Sequence, residues 1–186
     1  QQMDAVLKDT RDRMQKSIQA LEEELNTIRT GRASAALFER VKVEYYGNPT
    51  PLNQVATISV PEARLVVIQP WDKGIINEIE KAIQKSELSV NPSNDGKVIR
   101  INIPPLTEER RKEYVKVAKN MAEQARVALR NIRRDANEEL KKAQKAGDLS
   151  EDDEKRAADE VQKITDESVE KVNEAVEAKE KEILEI

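Results

Sequence analysis

The 186-residue chain is 37% charged and only 3% aromatic, has a formal net charge of −4, and contains neither Cys nor His. Such a composition favours long helices over one thick globular core. It excludes a disulfide framework, thiolate chemistry, and the commonest general base and metal ligand. No apolar run approaches the roughly 20 residues that span a bilayer. Gln1-Gln2-Met3-Asp4 runs straight into an amphipathic pattern with no signal peptide visible. A soluble cytoplasmic protein is expected, with no membrane contact.

The small net charge conceals an asymmetry. Residues 107–147 hold twelve Lys and Arg against seven Asp and Glu, whereas residues 148–186 hold six against fifteen. Intramolecular pairing absorbs part of this, at about 0–1 kcal/mol per exposed pair. The remainder fits a surface for an anionic partner.

In chain order, residues 3–29 read as a first long helix. Leu7, Met14, Ile18, Leu21, Leu25 and Ile28 recur at spacings of three, four and seven, which makes a packing seam about 40 Å long. Thr30-Gly31 is expected to end it, since Gly accepts the left-handed conformation.

Residues 31–106 follow a different pattern. Residues 41–46 alternate like a strand, Gly47-Asn48-Pro49 reads as a turn, and Val55–Val60 and Leu65–Gln69 read as further strands. Residues 75–86 read as a short helix with Ile75, Ile76, Ile79, Ala82 and Ile83 on one face. Residues 91–96 read as a loop, and Lys97–Ile103 alternates again. A small sheet with one helix fits, and about 75 residues suffice to fold alone.

The second long helix, 107–146, follows Pro104-Pro105. Thr107 is a suitable N-cap, and Glu108 and Glu109 suit the helix dipole. Its expected seam is Tyr114, Ala118, Met121, Ala125, Ala128 and Ile132. Gly147 ends it, and Ser150 caps a third helix at 150–185 whose apolar face carries Val161, Ile164, Val169, Val172, Val176 and Ile183. The short connection implies antiparallel neighbours. About ten residues at that turn are expected to project beyond the first helix.

The fold class expected is therefore α+β in two domains. Residues 1–30 and 107–186 form a long antiparallel three-helix bundle, and 31–106 form a β/α/β domain inserted into it. The chain crosses at Thr30-Gly31-Arg32 and at residues 103–106, which include Pro104 and Pro105. Gly on one crossing permits change and Pro on the other limits it. Two readings fit, a swinging hinge or two ordinary stiff linkers.

No catalytic constellation is present. The five Gly are isolated, and no phosphate-loop or dinucleotide motif occurs. Asp152-Asp153-Glu154 points in three directions on a helix and suits a helix start better than a metal site. No enzyme activity, cofactor, metal or small-molecule substrate is expected.

One constellation stands out, on the second long helix. At 100° per residue from Ile132, Arg133 falls at about 100°, Arg126 at 120°, Lys119 at 140°, Lys112 and Arg130 at 160° and Arg134 at 200°. The cations form a stripe on the side away from the expected seam. Arg forks onto phosphate and stacks on bases, which Lys does not. A solvated helix face, an RNA-backbone surface and a protein-binding surface all fit that stripe.

Several runs resemble the bacterial ribosome recycling factor family. They are Thr30-Gly31-Arg32-Ala33, Val43-Glu44-Tyr45-Tyr46-Gly47-Asn48-Pro49-Thr50-Pro51-Leu52, Pro104-Pro105-Leu106-Thr107-Glu108-Glu109-Arg110-Arg111, and the stretch from Ala122 to Asn137. The likeness spans nearly the whole chain. It implies an L-shaped, tRNA-sized molecule that enters the ribosome after termination. With elongation factor G and its GTP hydrolysis, such a factor separates the subunits. It implies that arginines of the bundle contact large-subunit ribosomal RNA, with Arg133 and Arg130 foremost and Arg110, Arg111 and Arg126 behind them. The runner-up is a helical chaperone or scaffold for protein partners. A monomer is expected, because no spare apolar face remains.

Overall fold

The computed structural model describes residues 2–185. In order, the elements are α1 (Gln2–Asn26), β1 (Lys42–Tyr45), β2 (Asn48–Pro51), β3 (Ala56–Glu62), β4 (Leu65–Pro70), α2 (Ile76–Lys85), β5 (Pro92–Asn94), β6 (Ile99–Asn102), α3 (Glu108–Lys145) and α4 (Glu151–Leu184). Short 3-10 turns cover Ala35–Phe38, Leu52–Gln54 and Lys73–Ile75. The chain divides into two compact units. One joins the residues up to Arg29 with those from Glu108 onward, and the other is Thr30–Thr107.

In the helical unit, α1 buries Val6, Thr10, Met14, Ile18, Leu21 and Leu25. The seam departs from expectation at its start, where it runs through Val6 and Thr10 while Leu7 is half-buried. Thr10 is tolerated there because its hydroxyl donates to the Val6 carbonyl at 2.8 Å. A buried hydroxyl so bonded escapes the cost of lost hydration. The helix also ends at Asn26 rather than at Gly31. The Thr27 hydroxyl takes the Glu24 carbonyl at 2.6 Å, and the N–H groups of Thr27 and Ile28 close tighter turns onto Glu24 and Leu25.

α3 buries Ala118, Ala122, Ala125, Leu129, Ile132, Ala136, Leu140 and Ala143. Tyr114, Met121 and Ala128 are only half-buried, so the seam is rotated from the expected one toward Ala122 and Leu129. Alanine does not distinguish a buried face from an exposed one by hydropathy alone, which is why the rotation was hidden. The α3–α4 turn is a Schellman motif: Gly147 has φ +84°, and the N–H groups of Asp148 and Gly147 donate to the carbonyls of Ala143 and Gln144 at 2.9 and 3.0 Å. The Ser150 hydroxyl then accepts from the Asp153 N–H at 3.0 Å and caps α4.

α4 buries Ala157, Val161, Ile164, Thr165, Ser168, Val172, Val176, Lys179 and Ile183. Ser168 takes the place expected for Val169. The Thr165 hydroxyl donates to Val161 O at 2.7 Å, repeating the Thr10 arrangement.

No two-helix tip projects at the α3–α4 turn. Met3, Leu7 and Leu149 all pack on one cluster of Val6, Ala136, Leu140, Ala157 and Val161, so the start of α1 reaches that turn. The ion pair Arg13–Asp135, at 3.1 Å, marks the antiparallel register of α1 and α3. Counted from that pair, Asn26 lies level with Ala122, and the first part of α3 is what outruns α1.

In the other unit, β3-β4-β6-β5 form one antiparallel sheet. Val66 and Ile68 of β4, Ile99 and Ile101 of β6, and Ile76, Ile79 and Ile83 of α2 share a single core with Phe38, Val43 and Leu52. Strands β1 and β2 form a separate hairpin whose two-residue turn, Tyr46-Gly47, has φ of 48° and 82°. Two of the strands, β2 and β5, stand where a turn and a loop were expected. Pro49 and Pro51 opposed that reading, yet they lie opposite Glu44 and Lys42. In a hairpin with a two-residue turn those are the non-hydrogen-bonded pairs, so no ladder bond is lost. β5 is likewise an edge strand, where Pro92 is admissible.

Candidate nucleic-acid interface

The α3 arginines divide into three groups by what the fold does with them. Because the true seam runs through Ala122 and Leu129, Arg126 and Arg133 stand on its shoulder rather than away from it. Both are half-buried, whereas Arg130 and Arg134 face solvent. Arg126, Arg130 and Arg133 fall within two turns of helix, a span of about 10 Å.

Arg126 is committed within the fold. Its Nε and Nη2 donate to the Asn173 Oδ1 of α4 at 3.1 and 2.7 Å, and its Nη1 to Glu123 Oε2 at 3.3 Å. Arg130 Nη2 reaches the other oxygen of the same carboxylate at 3.0 Å. The hydrogen bond from Arg130 foremost, with a lesser one from Arg126, lowers the Glu123 carboxyl from its ordinary value against an opposing effect of desolvation. Asn173 and Glu123 were not singled out in the sequence. One is a neutral residue on the partner helix, and the other is one of many glutamates.

Arg133 is different. Among the described residues it has no hydrogen-bond or ion-pair partner. Its stem is packed at the seam edge while its five donors remain to be satisfied by water or by a partner molecule. Arg134 is bonded to Asn131, and Lys119 approaches Glu180 of α4 at 4.0 Å.

Arg110 and Arg111 lie elsewhere, more than about 20 Å along the axis from Arg126. Arg110 pairs with Glu113 at 3.9 Å. Arg111 falls on the seam side of the helix, and its Nε is buried with no partner among the described residues. The structure thus brings together Arg126, Arg130 and Arg133, and sets Arg110 and Arg111 apart.

The crossing residues lie at the margin of the sheet-containing unit. Thr30 and Gly31 are half-buried, and Arg32, Pro104 and Pro105 are exposed. Gly31 has φ +74°, and a Cβ there would stand 3.1 Å from the Leu106 N and 3.3 Å from its Cγ. The Ala33 N–H donates to the Ala63 carbonyl and the Ile103 N–H to the Arg64 carbonyl, both at 2.7 Å. Both crossings are therefore pinned to the same β3–β4 turn. Among the described residues, no cluster of acidic side chains suits a metal ion, and no helix is long and apolar enough to cross a membrane.

Comparison with known proteins places this architecture. The family model described as ribosome recycling factor matches residues 21–184. The ribosome-recycling factor of Halalkalibacterium halodurans is 60% identical over 181 residues, 97% of this chain and 98% of that protein. That of Nitratidesulfovibrio vulgaris is 58% identical over 184 residues, 99% of each. A solution structure of a ribosome recycling factor superposes with a TM-score of 0.77 at 44% identity, covering 100% of this chain and 99% of the other. The Thermus thermophilus factor, placed with Escherichia coli elongation factor G on the E. coli post-termination complex, has a TM-score of 0.64 at 52% identity and covers 98% of both chains. With bundle, inserted sheet and family motifs in one continuous match, the chain belongs to the ribosome recycling factor family.

Proposed function

We propose that this chain binds the post-termination ribosome and, with elongation factor G and GTP hydrolysis by that partner, promotes separation of the subunits. The observation that carries the reading is the likeness, over 98% of both chains, to a factor placed with elongation factor G on a post-termination complex. In this reading the chain is a cytoplasmic monomer and not an enzyme. It supplies a docking surface and a stiff body, and the partner supplies the hydrolysis.

Docking is assigned to the α3 arginines on large-subunit ribosomal RNA. Arg133 leads, because its guanidinium has no competing partner among the described residues. Arg130 follows: its exposed pair with Glu123 is worth about 0–1 kcal/mol, so exchange for a phosphate is cheap. Arg126 contributes mainly by holding α3 to α4, and Arg110 and Arg111 form a second contact farther along the helix. Thr30-Gly31-Arg32 and Pro104-Pro105 are assigned as the hinge. The bonds of Ala33 and Ile103 to the β3–β4 turn support a pivot that lies outside those two residues.

Light scattering of post-termination ribosomes tests the activity. A fall in scattering is expected only when this chain, elongation factor G and GTP are all present. No fall, in a preparation where another recycling factor works, would overturn the reading.

A further inference from the structure

The chain contains five aromatic side chains, and two of them serve no core. Tyr46 is 78% exposed and Trp71 is 65% exposed. Both lie on the inserted unit, one in the β1–β2 turn and the other just after β4. Asp72 ties them to one locality, because it follows Trp71 in the chain and its Oδ2 accepts from the Tyr46 hydroxyl at 3.2 Å.

The polar tips of both rings are already satisfied. Trp71 Nε1 donates to the Thr57 hydroxyl at 2.8 Å, and the Tyr46 hydroxyl is held by Asp72. Tyr45 meets Tyr46 edge-on with centroids 4.6 Å apart. What remains available is the π faces, held in fixed orientation. Tyr46 also occupies a left-handed turn position, φ 48°, where Asn or Gly is least strained. A Tyr kept at a strained turn position while most of its ring faces solvent makes that ring a candidate contact surface.

The adjacent charge selects the occupant. The Asp72 carboxylate accepts from the Tyr46 hydroxyl on Oδ2 and from the Gly74 N–H on Oδ1 at 2.8 Å, with no cation paired to it among the described residues, and Glu44 stands exposed on β1 two residues before Tyr46. Lys42 and Lys73, the closest cations in sequence, form no ion pair with either carboxylate. An aromatic face beside an uncompensated carboxylate attracts a guanidinium, which stacks on the ring and donates to the carboxylate at once. The same carboxylate repels phosphate.

We propose that Tyr46, Trp71 and Asp72 form a docking site for an arginine-bearing segment of a protein partner. This site is separate from the arginines of α3, and it stands whether or not the recycling reading does.

Trp71 is the only tryptophan, so its fluorescence reports the patch without a label and ignores peptide bound to the acidic α4. The full chain is titrated with an oligoarginine peptide and, separately, with oligouridylate. A saturable change in Trp71 emission is expected with oligoarginine only. Tyr46→Asn, which suits the left-handed turn and so preserves the fold, should weaken it by about threefold. Asp72→Asn should weaken it further. No response to oligoarginine, or equal affinity in both variants, would overturn the proposal. A response to oligouridylate of similar affinity would also overturn it, by making the patch a nucleobase platform.

Discussion

Arg126 donates from Nε and Nη2 to the single Oδ1 of Asn173, at 3.1 and 2.7 Å, and thereby braces α3 against α4. Arg133, two turns farther on the same shoulder of the helix, has no such partner. Two arginines of one stripe thus have separable roles.

Arg126→Ala should lower the stability of the bundle by about 1.5–3 kcal/mol, the range for hydrogen bonds to a charged group. Its side chain is 26% exposed. Arg126→Lys should recover little, since a single ammonium cannot reproduce the fork. Arg133→Ala should change stability by no more than about 0.5 kcal/mol. Urea unfolding separates the two; equal losses would mean that Asn173 is not a brace.

Gly31→Ala should be disruptive beyond the size of a methyl group. The residue has φ +74°, and the added carbon would meet the Leu106 backbone nitrogen at 3.1 Å. The left-handed conformation alone costs roughly 1–2 kcal/mol for a residue bearing a Cβ. Gly47→Ala shares the positive φ but meets nothing within 4 Å, so it should cost less. Comparable melting temperatures for the two variants would remove the close approach as the reason for Gly31.

Ser150→Ala removes the acceptor for the Asp153 N–H and should cost about 1 kcal/mol. Ser150→Asp should retain the cap. Hydrogen exchange at the first turn of α4 provides the local check, and unaltered protection in the alanine variant would contradict it.

Asp95 sets a pH dependence. Its carboxylate accepts from the N–H groups of Val98 and Lys97 and from Arg100. The Val98 bond first, and then Arg100, hold its pKa far below the usual value. A depressed native pKa gives stability that is complete above the unfolded pKa and is lost as pH falls toward the native one. The stability difference between wild type and Asp95→Asn should therefore be constant from neutral pH down to about pH 4 and shrink below it. A difference that shrinks between pH 7 and 5 would place the linkage on another group.

The helices were legible in the sequence because Met14, Ile18, Leu21 and Leu25 repeat at helical spacing and because Gly147 and Ser150 mark a stop and a start. The seam of α3 was less so, since its alanines carry little hydropathy contrast. Thr10, Thr165, Ser168 and Lys179 are buried polar residues that no apolar pattern finds. Strand β2 was hidden by prolines that are harmless only in its particular register. The cationic stripe was readable from spacing, but which arginine is spare was not. That depended on Asn173 and Glu123, one of them 47 residues from Arg126 in the chain.

In the proposed function the guanidinium of Arg133, without a partner among the described residues, docks on large-subunit RNA. Binding of wild type, Arg133→Ala and the α4 control Arg156→Ala to isolated large subunits, followed by co-sedimentation over a salt series, tests it directly. Arg133→Ala should lose about 1–3 kcal/mol of binding with a salt slope shallower by about one, and Arg156→Ala should bind as wild type does. Binding by Arg133→Ala equal to wild type at every salt concentration would contradict it.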